Sequence, residues 1–192
     1  MNSPKILVFA GSTRVGSYNK ALAKIAAQAA TAAGAAVTLL DLRDLTLPLY
    51  DADLENTYGL PEGVHKFKNL LREADGIIVA SPEYNGSITG VLKNALDWAS
   101  RAAANEAPGS VFQGKLATLV SASPGPLGGL RGLVHLRAIL ANLGMIVLPE
   151  QLAIGSAHEA IDPAGTLKDA RKAGQLVALV TELVRVAAKL KA

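Results

Sequence analysis

Apolar residues in this chain follow two alternating patterns. Short, mostly apolar runs occur at Lys5–Ala10, Val37–Asp41, Gly76–Ala80, Leu116–Val120 and Met145–Leu148, the last stopped by Pro149. Runs of this length, rich in β-branched residues and bounded by Gly or Pro, predict strands buried on both faces. Between them, apolar residues recur at helical spacing. Tyr18–Ala33 carries Leu22, Ile25, Ala26 and Ala29 on one face and ends at Gly34. Pro61–Ala74 begins with a proline suited to a first helical turn. Gly90–Arg101 aligns Leu92, Ala95, Leu96 and Ala99, and Leu130–Leu143 is closed by Gly144. Leu167–Leu190 carries Leu176, Leu179, Val180, Leu183, Ala187 and Leu190 on one stripe. Leu42–Leu60, with Pro48 and the acidic run Asp51, Asp53, Glu55, reads as a solvated surface loop, as does Ala153–Gly165.

Strand and helix therefore alternate five times. That alternation predicts one α/β domain over residues 1–192, a doubly wound parallel sheet in three layers with strand order 2-1-3-4-5. In such sheets a ligand sits beyond the carboxyl ends of the strands, beside strand one, where the winding reverses. The loops after Ala10, Ala80 and Val120 are the ones to inspect.

Composition narrows the chemistry. The chain has 192 residues and 0 Cys, which excludes a disulfide framework, a zinc-thiolate site and a thiol redox centre. Any redox chemistry must come from a bound cofactor. The net charge of +3 arises without a Lys/Arg run, so no nucleic-acid stripe is present. A weak positive bias still favours small phosphate-bearing ligands. The start lacks a charged segment followed by a long apolar one, and no run of ~18 uncharged apolar residues occurs. The expectation is a cytoplasmic protein without a signal peptide.

The first loop reads Gly11-Ser-Thr-Arg-Val-Gly-Ser-Tyr-Asn19 and opens a helix. Unpaired N–H groups and the positive dipole end make helix starts good phosphate sites. Ser12, Thr13 and Ser17 add hydroxyls, Asn19 an amide and Arg14 a fixed charge. Simple capping could account for Ser17 or Asn19, but not for Arg14 or the density of hydroxyls. A P-loop is excluded because Ser17, not Lys, follows Gly16, and a dinucleotide fingerprint because Thr13 stands where its second Gly is needed. Asp41 ends strand two, where dinucleotide enzymes place a ribose-binding acid, though a solvated strand end is the commoner reading. The second loop, Ser81-Pro-Glu-Tyr-Asn-Gly-Ser87, offers Pro82 and Tyr84 as a flat wall and Asn85 with backbone amides as donors to a planar heterocycle. An ordinary Pro/Asn/Gly turn is the alternative. The third loop, Ser121 to Arg131, has Gly125, Gly128 and Gly129 for close backbone approach, or is a flexible turn stiffened by Pro124 and Pro126.

Taken together, G-S-T-R-x-x-S-x-N, S-P-E-Y-N-x-S-x-x-G-x-L-K-N-A-x-D-W and S-x-G-x-x-G-G-x-R resemble the NADPH-dependent FMN reductase family, and within it the quinone and chromate reductase branch. The middle motif, Ser81 to Trp98, is the most specific. The resemblance runs from Lys5 to the last helix. It implies a flavodoxin-like fold, FMN as cofactor and NADPH or NADH as electron donor. By that resemblance Ser12, Thr13, Arg14, Ser17 and Asn19 hold the FMN phosphate, and Pro82, Glu83, Tyr84 and Asn85 line the ribityl chain and isoalloxazine. Ser123 and Gly125 border the ring, with Pro126 reducing the donors there. Tyr84 also faces the substrate space. The flavin itself carries the chemistry, so no side chain is nominated as general acid or base. The acceptors expected are quinones or related azo, nitro, chromate or free-flavin compounds, reduced by ping-pong hydride transfer. A flavodoxin-like electron carrier and a flavin-binding interaction module are the alternatives. The family forms homodimers or homotetramers, so the helix at Leu92–Arg101 is expected in an interface. Trp98 falls beside its core stripe, readable as packing or as interface. His65, His135 and His158 are scattered without metal-ligand spacing, and no metal site is expected.

Overall fold

The structure is a computed structural model and describes residues 3–162 and 164–190. Five parallel strands form one sheet in the order β2-β1-β3-β4-β5. They are β1 (Lys5–Ala10), β2 (Ala36–Asp41), β3 (Gly76–Ala80), β4 (Leu116–Ala122) and β5 (Ile146–Ile154). The helices are α1 (Tyr18–Ala32), α2 (Ala52–Tyr58), α3 (Glu62–Glu73), α4 (Gly90–Ser100), α5 (Leu130–Asn142), α6 (Ala157–Ala160) and α7 (Ala170–Leu190).

The period of two along each strand divides the apolar residues between two cores. Ile6, Val8, Ala10, Ile78 and Val120 pack under α1 and α7, against Leu22, Ala26, Leu179 and Leu183. Leu7, Phe9, Ile77, Val79 and Leu119 pack on the other face, against Phe67, Leu92, Leu96 and Leu136. Phe9 and Phe67 meet edge-to-face at 5.5 Å. Full burial of each such ring contributes roughly 1.5–3 kcal/mol. The stripe of α7 is buried as far as Ala187, whereas Leu190 is exposed at the helix end.

Four expectations differ from the structure, the briefest being Ala153–Gly165, read as loop, where β5 runs on to Ile154 and α6 spans Ala157–Ala160. Residues 42–60 are not an unstructured solvated loop. Asp41 accepts the Arg43 N–H at 3.0 Å and starts a 3-10 turn at Leu42–Leu45. Asp51 accepts the Asp53 N–H at 2.8 Å and caps α2. Glu55 pairs with Arg101 at 2.8 Å and accepts from the Tyr50 hydroxyl at 3.1 Å. Asp41 and Asp51 are caps and Glu55 is a partner, roles that composition alone does not separate from solvation, while Asp53 is exposed as expected.

Trp98 is fully buried within the chain, so it belongs to the core and not to an interface. Its Nε1 donates to the Pro48 carbonyl at 2.9 Å, and its ring meets Tyr50 edge-to-face at 4.9 Å. Asn94 donates to the same carbonyl at 2.8 Å and accepts the Tyr50 N–H at 2.8 Å. The segment around Pro48 thus lies across α4 and covers the tryptophan.

The fifth strand does not stop at Pro149. It runs to Ile154, and its pairing with β4 slips between Ala117↔Val147 and Leu119↔Gln151. Pro149 falls within the slip, on an edge strand, where a missing N–H costs no ladder bond. Arg137 of α5 takes up carbonyls there, donating to Leu148 at 2.7 Å and to Pro149 at 3.1 Å.

Candidate functional site

β1 has β2 on one side and β3 on the other, so the winding reverses beside it and leaves a crevice at the carboxyl ends of β1, β3 and β4. All three inspected loops open there. Ser12, Arg14, Ser17, Asn19, Pro82, Glu83, Tyr84 and Ser123 line one cleft of about 170 Å³, together with Tyr18, Ala122 and Pro124. An adjoining cleft of about 410 Å³ shares Glu83 and Ser123 and adds Asn85, Gly86, residues 125–129 and Arg131. A larger groove of about 720 Å³ lies against β5 and α7, walled by Leu148, Leu152 and Leu179. It lacks the first loop's hydroxyls and Arg14, so we assign the site by donors and not by volume.

The first loop presents donors that the protein has not used. Ser17 caps α1, its Oγ accepting the Lys20 N–H at 3.4 Å, and Ser12 Oγ accepts the Arg14 N–H at 3.3 Å. Each hydroxyl therefore serves the backbone through a lone pair and keeps its proton for a ligand. Arg14 lies over the Tyr18 ring at 5.5 Å, with its guanidinium held at the cleft by that stacking. Two hydroxyl donors, a fixed cation and a helix N-terminus suit a terminal phosphate.

Thr13 and Asn19 do different work. Thr13 is outside the lining of both clefts, and its carbonyl accepts from Arg43 Nε at 3.0 Å. Asn19 is buried and spans the crevice: Nδ2 donates to the Ala122 carbonyl at 2.7 Å, and Oδ1 accepts the Ala122 N–H at 2.9 Å. It fixes the first loop to the end of β4.

The second loop is a short hairpin. Tyr84 and Ser87 exchange backbone bonds at 2.9 and 3.0 Å, and Asn85 and Gly86 sit at φ 53° and 77°. Positive φ at both central residues is the type I′ turn that Asn-Gly favours. It leaves Tyr84 57% exposed at the mouth of the crevice. Glu83 turns toward α5, accepting from the Gly132 N–H at 3.1 Å and from Arg131 Nε at 2.8 Å. Burial pushes its carboxyl upward, but the Gly132 amide and Arg131 outweigh that, and the group titrates below the usual carboxylate range.

The third loop is locked from beneath. Ser121 Oγ donates to the Ser81 carbonyl at 2.6 Å. Gly129 sits at φ +91°, where a Cβ would lie 2.0 Å from that same hydroxyl. Gly125 gives its N–H to Ser123 Oγ at 3.2 Å, so with Pro126 this stretch has few donors left for a ligand. Thr89, buried at the start of α4, donates to the Gly11 carbonyl at 2.6 Å and caps α4 through the Leu92 N–H at 3.2 Å. Thr89, Ser121 and Arg131 went unassigned in the sequence; an N-cap threonine directly before Gly90 was the legible signal for the first.

The arrangement gathers two hydroxyls, a cation and a helix N-terminus at one end of a cleft that Tyr84 also lines. A model of the NADPH-dependent FMN reductases matches residues 4–159. This chain belongs to that family. It is 40% identical over 174 residues to an NAD(P)H-dependent FMN reductase of Pseudomonas aeruginosa, covering 90% of this chain and 89% of that one. It is 36% identical over 161 residues to a quinone reductase of Escherichia coli, covering 83% and 81% of the two chains. Among solved structures it is similar to FerB, an NAD(P)H:(acceptor) oxidoreductase from Paracoccus denitrificans, with a TM-score of 0.80, 30% identity and coverage of 97% and 98%. The reductase is thus an NAD(P)H-dependent flavoenzyme with a flavodoxin-like fold, and its cofactor is FMN. The free donors at Ser12, Ser17 and Arg14 fit that cofactor, because FMN ends in a phosphate. No described helix is long and apolar enough to cross a membrane, and no metal-binding group of side chains occurs among the described residues.

Proposed function

We propose that this reductase holds the FMN phosphate at Ser12, Arg14 and Ser17 and uses NADPH or NADH to reduce flat acceptors. Quinones come first, with azo, nitro, chromate and free-flavin compounds as related cases. The observation that carries this reading is the pair of serine hydroxyls and the arginine converging on one helix N-terminus, beside a cleft open at Tyr84. Bound FMN supplies a carrier that accepts hydride from reduced nicotinamide and delivers electrons to an acceptor. The protein supplies the rest. Ser12 and Ser17 donate to phosphate oxygens, and Arg14 balances their charge. Asn19 holds the first loop against Ala122, and Glu83 holds the second against α5. Pro82, Asn85, Ser123 and Gly125 border the ribityl chain and ring, with Tyr84 at the open face.

Nicotinamide and acceptor then share one space, a reading supported by the two adjoining clefts, which have Glu83 and Ser123 in common and open beside the exposed Tyr84. The oxidised nicotinamide must leave before the acceptor enters. Initial rates of NADPH oxidation with a small quinone test this, and double-reciprocal plots should be parallel. Intersecting plots with a productive ternary complex would remove the shared site.

A homodimer or homotetramer belongs to the same proposal. α4 leaves only Gly90 and Lys93 exposed, so it offers little contact area. Leu127, Leu130 and Val134, at and beside α5, are 52%, 42% and 58% exposed. They support an interface on α5 in place of α4.

A further inference from the structure

Arg43 lies on the 3-10 turn after β2, outside the three loops, and no motif marks it. Its guanidinium nevertheless reaches the first loop, where Nε donates to the Thr13 carbonyl at 3.0 Å and Nη2 donates to the same oxygen. We infer that Arg43 is a positioning residue for the FMN phosphate, acting through the Thr13–Arg14 peptide; this rests on the phosphate reading given above.

A trans peptide is planar, so its carbonyl and its N–H point in opposite directions. With the Thr13 carbonyl drawn outward onto Arg43, the Arg14 N–H is turned inward, onto Ser12 Oγ at 3.3 Å. That contact occupies a lone pair of Ser12 and leaves its hydroxyl proton free for the phosphate. Arg43 is itself fixed. Asp41 Oδ1 accepts its backbone N–H at 3.0 Å, and Asp41 Oδ2 accepts from Lys20 Nζ at 2.6 Å. Lys20 in turn gives its backbone N–H to Ser17 Oγ at 3.4 Å. A closed path from Ser17 through Lys20, Asp41 and Arg43 to Thr13 thus joins both ends of the loop to the end of β2. Arg43 lines neither cleft, so its route to the ligand is the carbonyl it holds.

The test compares dissociation constants of FMN and riboflavin, read by flavin fluorescence, in the parent, Arg43→Lys and Arg43→Ala, with thermal melting beside them. Arg43→Ala should weaken FMN by roughly 3- to 10-fold, less than the loss of a direct bond to the phosphate because Arg43 acts through the Thr13 carbonyl. Riboflavin affinity and melting temperature should stay at parental values. Arg43→Lys should recover only part, because an ammonium cannot present two forked donors to one oxygen. A parental ratio of FMN to riboflavin affinity in Arg43→Ala overturns the inference while the phosphate reading stands. Equal weakening of both ligands together with a lower melting temperature also overturns it, as a general loss of folding. A parent that does not prefer FMN to riboflavin overturns the phosphate reading itself, and Arg43 falls with it.

Discussion

At the residue scale, each side chain in the crevice either faces the ligand or holds a loop. Arg14 belongs to the first kind, since its guanidinium stacks on the Tyr18 ring and makes no hydrogen bond or ion pair among the described residues. Arg14→Ala should weaken FMN by roughly 10- to 150-fold, the equivalent of about 1.5–3 kcal/mol for a bond to a charged group. Equal FMN affinity in variant and parent, measured by fluorescence titration, would remove Arg14 from the site. Tyr84 stands 57% exposed at the mouth of the cleft that Ser12, Arg14 and Ser17 also line, and it offers a ring where they offer hydroxyls and charge. Tyr84→Ala should raise the KM for a quinone more than it releases FMN. Loss of FMN with an unchanged quinone KM would place it in the cofactor wall instead. Gly129 is of the second kind. Gly129→Ala should destabilise the fold by about 1–2 kcal/mol from its left-handed backbone alone, and the contact with Ser121 adds to that, which urea unfolding would show. Residue types in the first loop suggested the phosphate reading in the sequence. The division of labour did not show there, because an asparagine that ties Ala122 and one that binds a ligand have the same spelling.

At the element scale, the five strands and five long helices were legible because both burial patterns are periodic and the breakers fall between them. Residues 42–60 were not, because their order comes from Asp41, Asp51 and Glu55 acting as caps and partners, and from Pro48 seated on Trp98. The same is true of Pro149, whose breaking tendency is absorbed by a slip on an edge strand. The link between β3 and α5 rests on Glu83, and it has a pH signature. The carboxyl titrates lower folded than unfolded, so its contribution is complete above the unfolded value near 4.3. It is lost only as pH falls through the lower folded value. Glu83→Gln should lower stability by about 1 kcal/mol, since Arg131 is largely exposed. Thermal melts should show that gap constant between pH 5 and 8 and closing below about pH 4. A gap that closes near neutrality would mean the carboxyl is not held ionised by Arg131 and Gly132.

At the scale of the whole molecule, sheet order alone located the crevice, and the order was readable from alternation and strand count. Assembly was not readable. Trp98, which its place beside the helix stripe offered to an interface, is covered by the chain's own Tyr50 and Pro48. Light scattering at micromolar concentration should give a dimer or tetramer, and a charged residue in place of Val134 should shift it toward monomer. A monomeric parent would contradict the assembly. The central claim is that this chain carries FMN and turns it over between nicotinamide and a quinone. One anaerobic spectral titration of the purified protein tests it. The account predicts flavin bands near one FMN per chain, bleached by NADPH and restored by a small quinone. Colourless protein that takes up no added FMN, or bleached bands that quinone fails to restore, would contradict it.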